Sequence, residues 1–399
     1  MSTSAFSADI AIVGGCGRVG LPLGLAFAER GMKVNLYDVN ESAVDSLKNG
    51  VMPFREPGAE EILSNVLGSR LSVTSDRRSL TDAEAVVVVV GTPIDEHLNP
   101  DVMMVPNLVE EISGYLREGQ LLILRSTIFP GVTRLVEERI ARLGLMVDVA
   151  FCPERIAQGK ALTELFEFPQ IVAGRTRASQ ERAAKLFGTL MPDIVFLQPE
   201  EAELAKLIAN AWRYIQLATA NQFYRIANDF GLDYERIRVA LAQDYPRAAD
   251  IPRAGFAAGP CLLKDTMQLA AFNNNNFVLG HASMMVNEGL PQYVVSCVER
   301  EHPLNAMSVG ILGMAFKANS DDRRSSLGYK LKRILRSKAA DVLCTDPYVG
   351  DDPELLPLQT VLDRADLLIV GVPHSLYRDL EIDKPVIDIW NLFERGVRV

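Results

Sequence analysis

Five cysteines are scattered through the 399 residues, at Cys16, Cys152, Cys261, Cys297 and Cys344, without metal-ligand spacing and in odd number. They suggest neither a zinc site nor a disulfide framework, so each must be judged alone. Cys261 stands out by its setting. In the stretch AGFAAGPCLLKDTMQL, Gly255, Gly259 and Pro260 break any helix, whereas Thr266, Met267, Leu269, Ala270 and Ala271 continue at helical spacing. The sulfur therefore falls near a helix N-terminus. Unpaired N–H groups and the helix dipole favour a thiolate there, and Lys264 adds a positive charge. The ordinary role of a lone cysteine is that of a small buried apolar residue. Lys264 and Asp265 beside it make a nucleophile the competing reading.

A second constellation lies on the uninterrupted helical pattern from Pro199 to about Gly231, which holds no Gly or Pro. Lys206 and Asn210 are four residues apart and share one helix face, with Glu203 three before the lysine. Surface pairing explains most such trios. On a largely apolar face, Lys206 and Asn210 supply two donors for a developing oxyanion.

The third lies near the start. DIAIVG is a buried-strand pattern running into GGCGRVGLPLGLAFAERG, helical in spacing after Gly17. Gly15, Gly17 and Gly20 form G-x-G-x-x-G, with Arg18 and Val19 inside it: the first glycine for the tight turn, the second for close approach of a pyrophosphate, the third for packing of helix on strand. A second strand, KVNLYD, ends in Asp38, where a carboxylate meets a ribose 2′-hydroxyl and repels a 2′-phosphate. NAD is the expected cofactor.

Further strand patterns at AVVVVVGTP, LLILRST, MVDVAF and QIVAG, separated by amphipathic segments, indicate a doubly wound parallel sheet buried on both faces. Gly91, Thr92 and Pro93, then Ser126 and Thr127, then Glu154, stand at strand ends, where such sheets bind ligands. Each alone is more often a cap or turn residue. After the long helix a shorter one, Tyr234 to Gln243, leads into a proline-broken linker bearing Arg247 and Arg253. From Ser308 the strand-turn-helix pattern returns, with only Gly310 and Gly313 at its turn. Lys317, Arg323 and Arg324 there suit phosphates, unless Asp321 and Asp322 simply pair with them. The expected fold class is α/β: two Rossmann-like doubly wound parallel-sheet domains, 1–198 and 303–399, joined by a central helical domain, 199–302.

Hydrophobic residues make up 48% and charged residues 23%, the composition of a globular protein, and no apolar run is long enough to span a bilayer. The first ten residues lack a secretory pattern, so a cytoplasmic location is expected. A net charge of −10 argues against a general nucleic-acid binder.

Taken together, these residues resemble the UDP-glucose/GDP-mannose dehydrogenase family, whose members oxidise the C6 alcohol of a nucleotide sugar to a carboxylate. The motifs that carry the resemblance are GTP at Gly91, STIFPG at Ser126, CPERIAQGKAL at Cys152, ELAKLIAN at Glu203, GPCLLKD at Gly259 and GMAFKANSDDRR at Gly313. By position it implies that Cys261 is the nucleophile, that Lys206 and Asn210 stabilise the oxyanion, and that Asp265, Thr127 and Glu154 hold or activate water. It implies NAD contacts from the glycine turn, Asp38, Gly91 to Pro93, Ser126, Thr127, Lys264 and Arg324. Substrate contacts would come from Glu154, Arg155, Ile156, Lys206, Asn210, Gly255, Phe256, Phe316 and Lys317. Arg247 would reach toward the sugar held by a neighbouring subunit of a dimer or higher oligomer, and no metal is implied. The CPERIAQGKAL version leans toward UDP-N-acetylhexosamines such as UDP-N-acetylmannosamine rather than UDP-glucose.

This chain departs from the family at Ala257-Ala258, where Gly-Gly is usual, and at Gln158 and Ser325, where Glu is common. Two other readings stay open: a two-electron 3-hydroxyacid dehydrogenase, which also carries Lys and Asn four apart on a helix, and a non-catalytic NAD-binding paralogue. Cys261 and the third domain speak against the first. If Asp38 selects the cofactor, steady-state kinetics will show a strong preference for NAD over NADP that weakens in Asp38→Ala. Equal use of both by the native chain would sink the assignment.

Overall fold

The computed structural model describes residues 6–399. They form two compact units, one up to Ile208 and one from Ala209 onward. The first unit is built on an eight-stranded sheet of β1 (Ala8–Val13), β2 (Val34–Tyr37), β3 (Leu71–Thr74), β4 (Ala83–Val88), β5 (Leu121–Leu124), β6 (Asp148–Phe151), β7 (Gln170–Gly174) and β8 (Ile194–Leu197). Their order is β3-β2-β1-β4-β5-β6-β7-β8. Short strands of Val, Ile, Leu and Ala suit a sheet covered on both sides. One face packs against α1 (Gly20–Glu29), α2 (Glu41–Lys48) and α3 (Ala59–Val66), and the other against α4 (Met104–Ile112) and α5 (Val132–Arg142).

The sheet is parallel with one exception: β6 and β7 run antiparallel. Between them lie the loop 152–160 and α6 (Ala161–Glu167), only seven residues and so about 10 Å long. A parallel neighbour requires a crossover that carries the chain back along the whole strand. Here the loop and short helix stay at one end, and the chain re-enters beside β6 in the opposite sense. Parallel pairing resumes from β7 to β8 across α7 (Arg177–Phe187).

Helix α8 (Pro199–Asp229) passes from the first unit into the second, followed by α9 (Tyr234–Ala242), α10 (Leu262–Phe272) and α11 (Val278–Glu301). The second unit's sheet, β10-β9-β11-β12, is parallel throughout: β9 (Ser308–Leu312), β10 (Asp341–Thr345), β11 (Leu367–Val370) and β12 (Val386–Ile387), flanked by α12 (Leu327–Leu335) and α13 (Leu358–Arg364). Its core joins Tyr224 of α8 and Leu290, Val294 and Val298 of α11 to the strands and Leu331 of α12. Among the described residues no helix is long and apolar enough to cross a membrane.

The segment leading to Cys261 is locked into this core. Asn221 of α8 clasps Gly255 from both sides, accepting from its N–H at 2.9 Å and donating to its carbonyl at 3.0 Å. Asn287 of α11 accepts from Asn221 at 2.9 Å and donates to the Tyr214 carbonyl at 3.1 Å. Both asparagines are fully buried, so this network has no competing water. The Trp390 indole lies so close over Gly255 that a Cβ there would sit 2.2 Å from it. Gly255→Ala therefore forces the ring to move and will destabilise the second unit by about 1–3 kcal/mol in denaturant unfolding. The penalty will shrink in a Trp390→Ala background; equal costs in both backgrounds would contradict the contact.

Candidate active site

In the first unit the glycine turn has the shape a dinucleotide requires. Its positive-φ residue is Gly14 (φ +80), whose Cβ would fall 2.0 Å from the Val89 carbonyl oxygen. The tight turn assigned above to Gly15 is thus made one residue earlier. Gly15 is held to glycine by space, because a Cβ there would meet Leu36 at 2.8 Å. A Cβ on Gly17 would meet only the Gly14 oxygen, at 3.3 Å, leaving that side of the turn open to a ligand. Val19 precedes α1 and Gly20 opens it, bringing the helix N-terminus to the turn. The Arg18 guanidinium stacks on the Phe54 ring, 4.9 Å from its centre.

Asp38 follows β2 beside this turn and accepts from the N–H groups of Cys16 (2.9 Å) and Asn40 (3.0 Å). Each oxygen keeps a lone pair for a ribose hydroxyl. These residues fit NAD: open backbone over Gly17 for phosphate and a fixed carboxylate for the ribose. At the neighbouring strand ends, Ser126 Oγ accepts from Val90 N–H (2.7 Å) and Thr92 Oγ1 donates to the Thr127 carbonyl (2.6 Å). Ser126 and Thr92 thus tie the loop after β4 to the loop after β5, and Gly91 and Pro93 lie exposed beside them.

Glu154, expected to hold or activate water, also anchors the loop that follows β6. It is buried, and one oxygen is held by the Arg125 guanidinium, with Nε at 2.8 Å. Its other oxygen accepts from the N–H groups of Arg155 (2.7 Å) and Ile156 (3.0 Å). A carboxylate with so many donors on its two oxygens organises the loop it begins. Arg125 escaped the sequence reading, although a charged residue closing the apolar run LLIL was the available signal. Glu203 does not pair with Lys206. It is fully buried and caps α5, accepting from Gly131 N–H (2.6 Å), Thr133 N–H (2.8 Å) and Thr133 Oγ1 (2.6 Å). Lys206 is half-buried.

In the second unit Cys261 is the N-cap of α10 and the one exposed cysteine of the five. Burial pushes the thiols of Cys16 and Cys152 up to about 12 and that of Cys344 up to about 11. Four residues after Cys261, Asp265 is wholly buried. One of its oxygens accepts from Asn210 Nδ2, and the other lies 2.8 Å from Lys264 Nζ. Lys264 thus neutralises Asp265. The Arg324 guanidinium is held above its ordinary value, first by its hydrogen bonds to Asp322 and then, against the effect of burial, by nearby negative groups including the Cys261 sulfur. The pairing of Arg324 with Asp322 was one of the two outcomes open from sequence, and Arg323 pairs with Asp351 at 3.1 Å.

Phe316 packs over the cysteine loop, where a Cβ on Gly259 would fall 2.7 Å from its ring. The Gly259 N–H donates to the Ser325 carbonyl at 3.3 Å, so the loop is tied to the basic turn despite Ala257-Ala258. Lys317 lies 6.0 Å from the centre of the Phe316 ring. Phe256 is buried edge-on against Trp390, with ring centres 6.2 Å apart. Arg247 is exposed and stacks on Tyr245.

Three family models match the chain: the NAD binding domain of the UDP-glucose/GDP-mannose dehydrogenase family over residues 8–191, its central domain over 200–288 and its UDP binding domain over 310–395. A UDP-N-acetyl-D-mannosamine dehydrogenase of Pyrococcus horikoshii is 30% identical over 381 residues, covering 92% of this chain and 90% of that protein. Two solved structures superpose with TM-scores of 0.88. One is a UDP-glucose dehydrogenase from Pyrobaculum islandicum, 28% identical and covering 97% of this chain and 95% of the other. The second is the UDP-D-ManNAc dehydrogenase of Pyrococcus horikoshii, 27% identical with 96% of both chains covered. With a glycine turn fit for NAD and an exposed cysteine at the N-cap position of a helix, this chain belongs to the UDP-glucose/GDP-mannose dehydrogenase family and is an NAD-dependent nucleotide-sugar dehydrogenase.

Proposed function

We propose that the chain oxidises the C6 alcohol of a UDP-N-acetylhexosamine, UDP-N-acetylmannosamine foremost, to the uronic acid in a four-electron reaction carried by Cys261. The observation that carries this reading is the single exposed thiol at the start of α10, backed by the buried Asp265. The relatives named for UDP-N-acetyl-D-mannosamine support the choice of sugar.

NAD, bound at the glycine turn, supplies the hydride acceptor for both oxidations. The first oxidation leaves an aldehyde at C6. Cys261 Sγ adds to that carbon, the carbonyl electron pair moves to oxygen, and protonation gives a thiohemiacetal. Loss of the second hydride restores the C=O bond as a thioester. Water then adds to the carbonyl and the C–S bond breaks, releasing the carboxylate and returning the thiolate. Each addition places charge on oxygen, for which Lys206 and Asn210 are the donors. Asp265 takes one N–H of Asn210 and so fixes its amide, leaving the second N–H for the oxyanion. Such a preorganised donor contributes roughly 10²-fold to 10³-fold in rate. In this reading Thr127, Asp265 and Glu154 hold or activate the hydrolytic water, and Glu154 also shapes the substrate loop; Arg155, Ile156, Phe316 and Lys317 contact the nucleotide sugar.

The three-part division at residues 198 and 302 belongs to the same proposal, with 199–302 serving dimerisation. Trp212, Phe223, Ile226 and Phe230 of α8 and the residue after it recur at helical spacing and stay exposed, Phe230 at 79%. Exposed aromatic and aliphatic groups so arranged favour burial against a second copy. Arg247 of one subunit would then reach the sugar bound by the other.

Two NADH will appear per sugar acid formed, with little free aldehyde, and acid formation will collapse in Cys261→Ala while NAD and UDP-sugar still bind. One NADH per sugar, or undiminished acid in Cys261→Ala, returns the chain to two-electron chemistry. Light scattering at assay concentration will find a dimer; an active monomer would count decisively against the shared site.

A further inference from the structure

Loop 154–160 leaves β6 with its backbone N–H groups pointing at carboxylates, and those carboxylates come from three places in the sequence. Glu154 holds the N–H groups of Arg155 and Ile156, as described. Glu164 of α6 accepts from Ala157 N–H at 2.5 Å. Glu56, about a hundred residues earlier, accepts from Gly159 N–H at 2.8 Å through one oxygen and from Ala161 N–H at 2.9 Å through the other. Gly159 has φ +76, and Lys160, the N-cap of α6, provides no side-chain cap, so Glu56 supplies the cap from a distance.

Glu56 itself has little freedom. It is 5% exposed, and Phe54, two residues before it, is buried under the Arg18 guanidinium of the glycine turn. Three residues after it α3 begins, anchored in the core by Ala59 and Leu63. A short strap thus fixes a charged acceptor beneath the far end of a loop that has no regular structure of its own.

We propose that Glu56, seconded by Glu164, is a positioning residue for sugar recognition: it holds loop 154–160 in the conformation that presents Arg155 and Ile156 to the UDP-sugar. The inference rests on the proposed function, which assigns that loop to the substrate. Charge-assisted bonds to two amides are stronger than neutral ones, and a glutamine can accept from one amide only while setting its NH₂ against the other.

The test uses the full chain with NAD and UDP-N-acetylmannosamine. Glu56→Gln will raise KM for the UDP-sugar about tenfold, the loss expected when one charged hydrogen bond is removed. KM for NAD will stay within about twofold and kcat will be retained at saturating sugar. Hydrogen exchange will quicken at Gly159 and Ala161. Glu164→Gln, which disturbs one amide rather than two, will shift the sugar KM in the same direction by less, and it serves if Glu56→Gln folds poorly. Glu60→Gln, on the exposed side of α3, will change nothing. An unchanged sugar KM in both variants, or equal rises in the KM for sugar and for NAD, overturns the positioning role while leaving the proposed function standing. A native chain inactive toward every UDP-sugar overturns both.

Discussion

The wholly buried carboxylate of Asp265 is the interaction on which the candidate chemistry depends. It sits four residues after Cys261, one turn into α10, and binds Lys264 of its own helix and Asn210 of α8. A charge so placed is tolerable only when paired, and removing either partner would leave the other side uncompensated. The constraint therefore fixes three things at once: the orientation of α10 against α8, the direction of the Asn210 amide and the site of the positive charge beside the sulfur. Cys261 is left exposed at the helix start, with the remaining thiols withdrawn into the cores.

The first unit solves a related problem by the same means. A doubly wound sheet places its ligand loops at the carboxyl ends of strands, where backbone N–H groups lack partners. Here carboxylates fill that need from outside each loop's own backbone. Asp38 serves the glycine turn, Glu203 the start of α5, and Glu154, Glu164 and Glu56 the loop after β6. Loops held in this way keep their shape without regular structure, which preorganises groups that recognise a substrate. The same arrangement explains why the net acidity of the chain does not mark an acidic surface alone: several carboxylates are spent inside.

Much of this was legible in the residues. Apolar strand runs separated by helical spacing foretold the sheets, and the break at Gly259-Pro260 foretold a helix starting at Cys261. Periodicity reports which face is buried but not the sense in which a strand runs, so the antiparallel β7 was invisible: nothing in QIVAG distinguishes it from its parallel neighbours. Motif spacing located Glu154, yet its partner Arg125 lies 29 residues away, and only the fold reveals their pairing. Glu203 looked like a surface charge because its partners, Gly131 and Thr133, are 70 residues or more distant. Likewise the G-x-G-x-x-G pattern marked the right turn, but the positive φ falls at Gly14, one residue before the pattern, where a Cβ would meet the Val89 carbonyl just beyond β4.

The claim that organises the rest is that the sugar becomes covalently attached to Cys261. The most direct measurement is intact-protein and peptide mass spectrometry of Cys261→Ser incubated with NAD and UDP-N-acetylmannosamine, because an oxygen ester hydrolyses more slowly than a thioester and so accumulates. The account predicts an added mass equal to the oxidised UDP-sugar acyl group on the peptide containing residue 261. Absence of any adduct from a variant that still reduces NAD and still forms acid would contradict it.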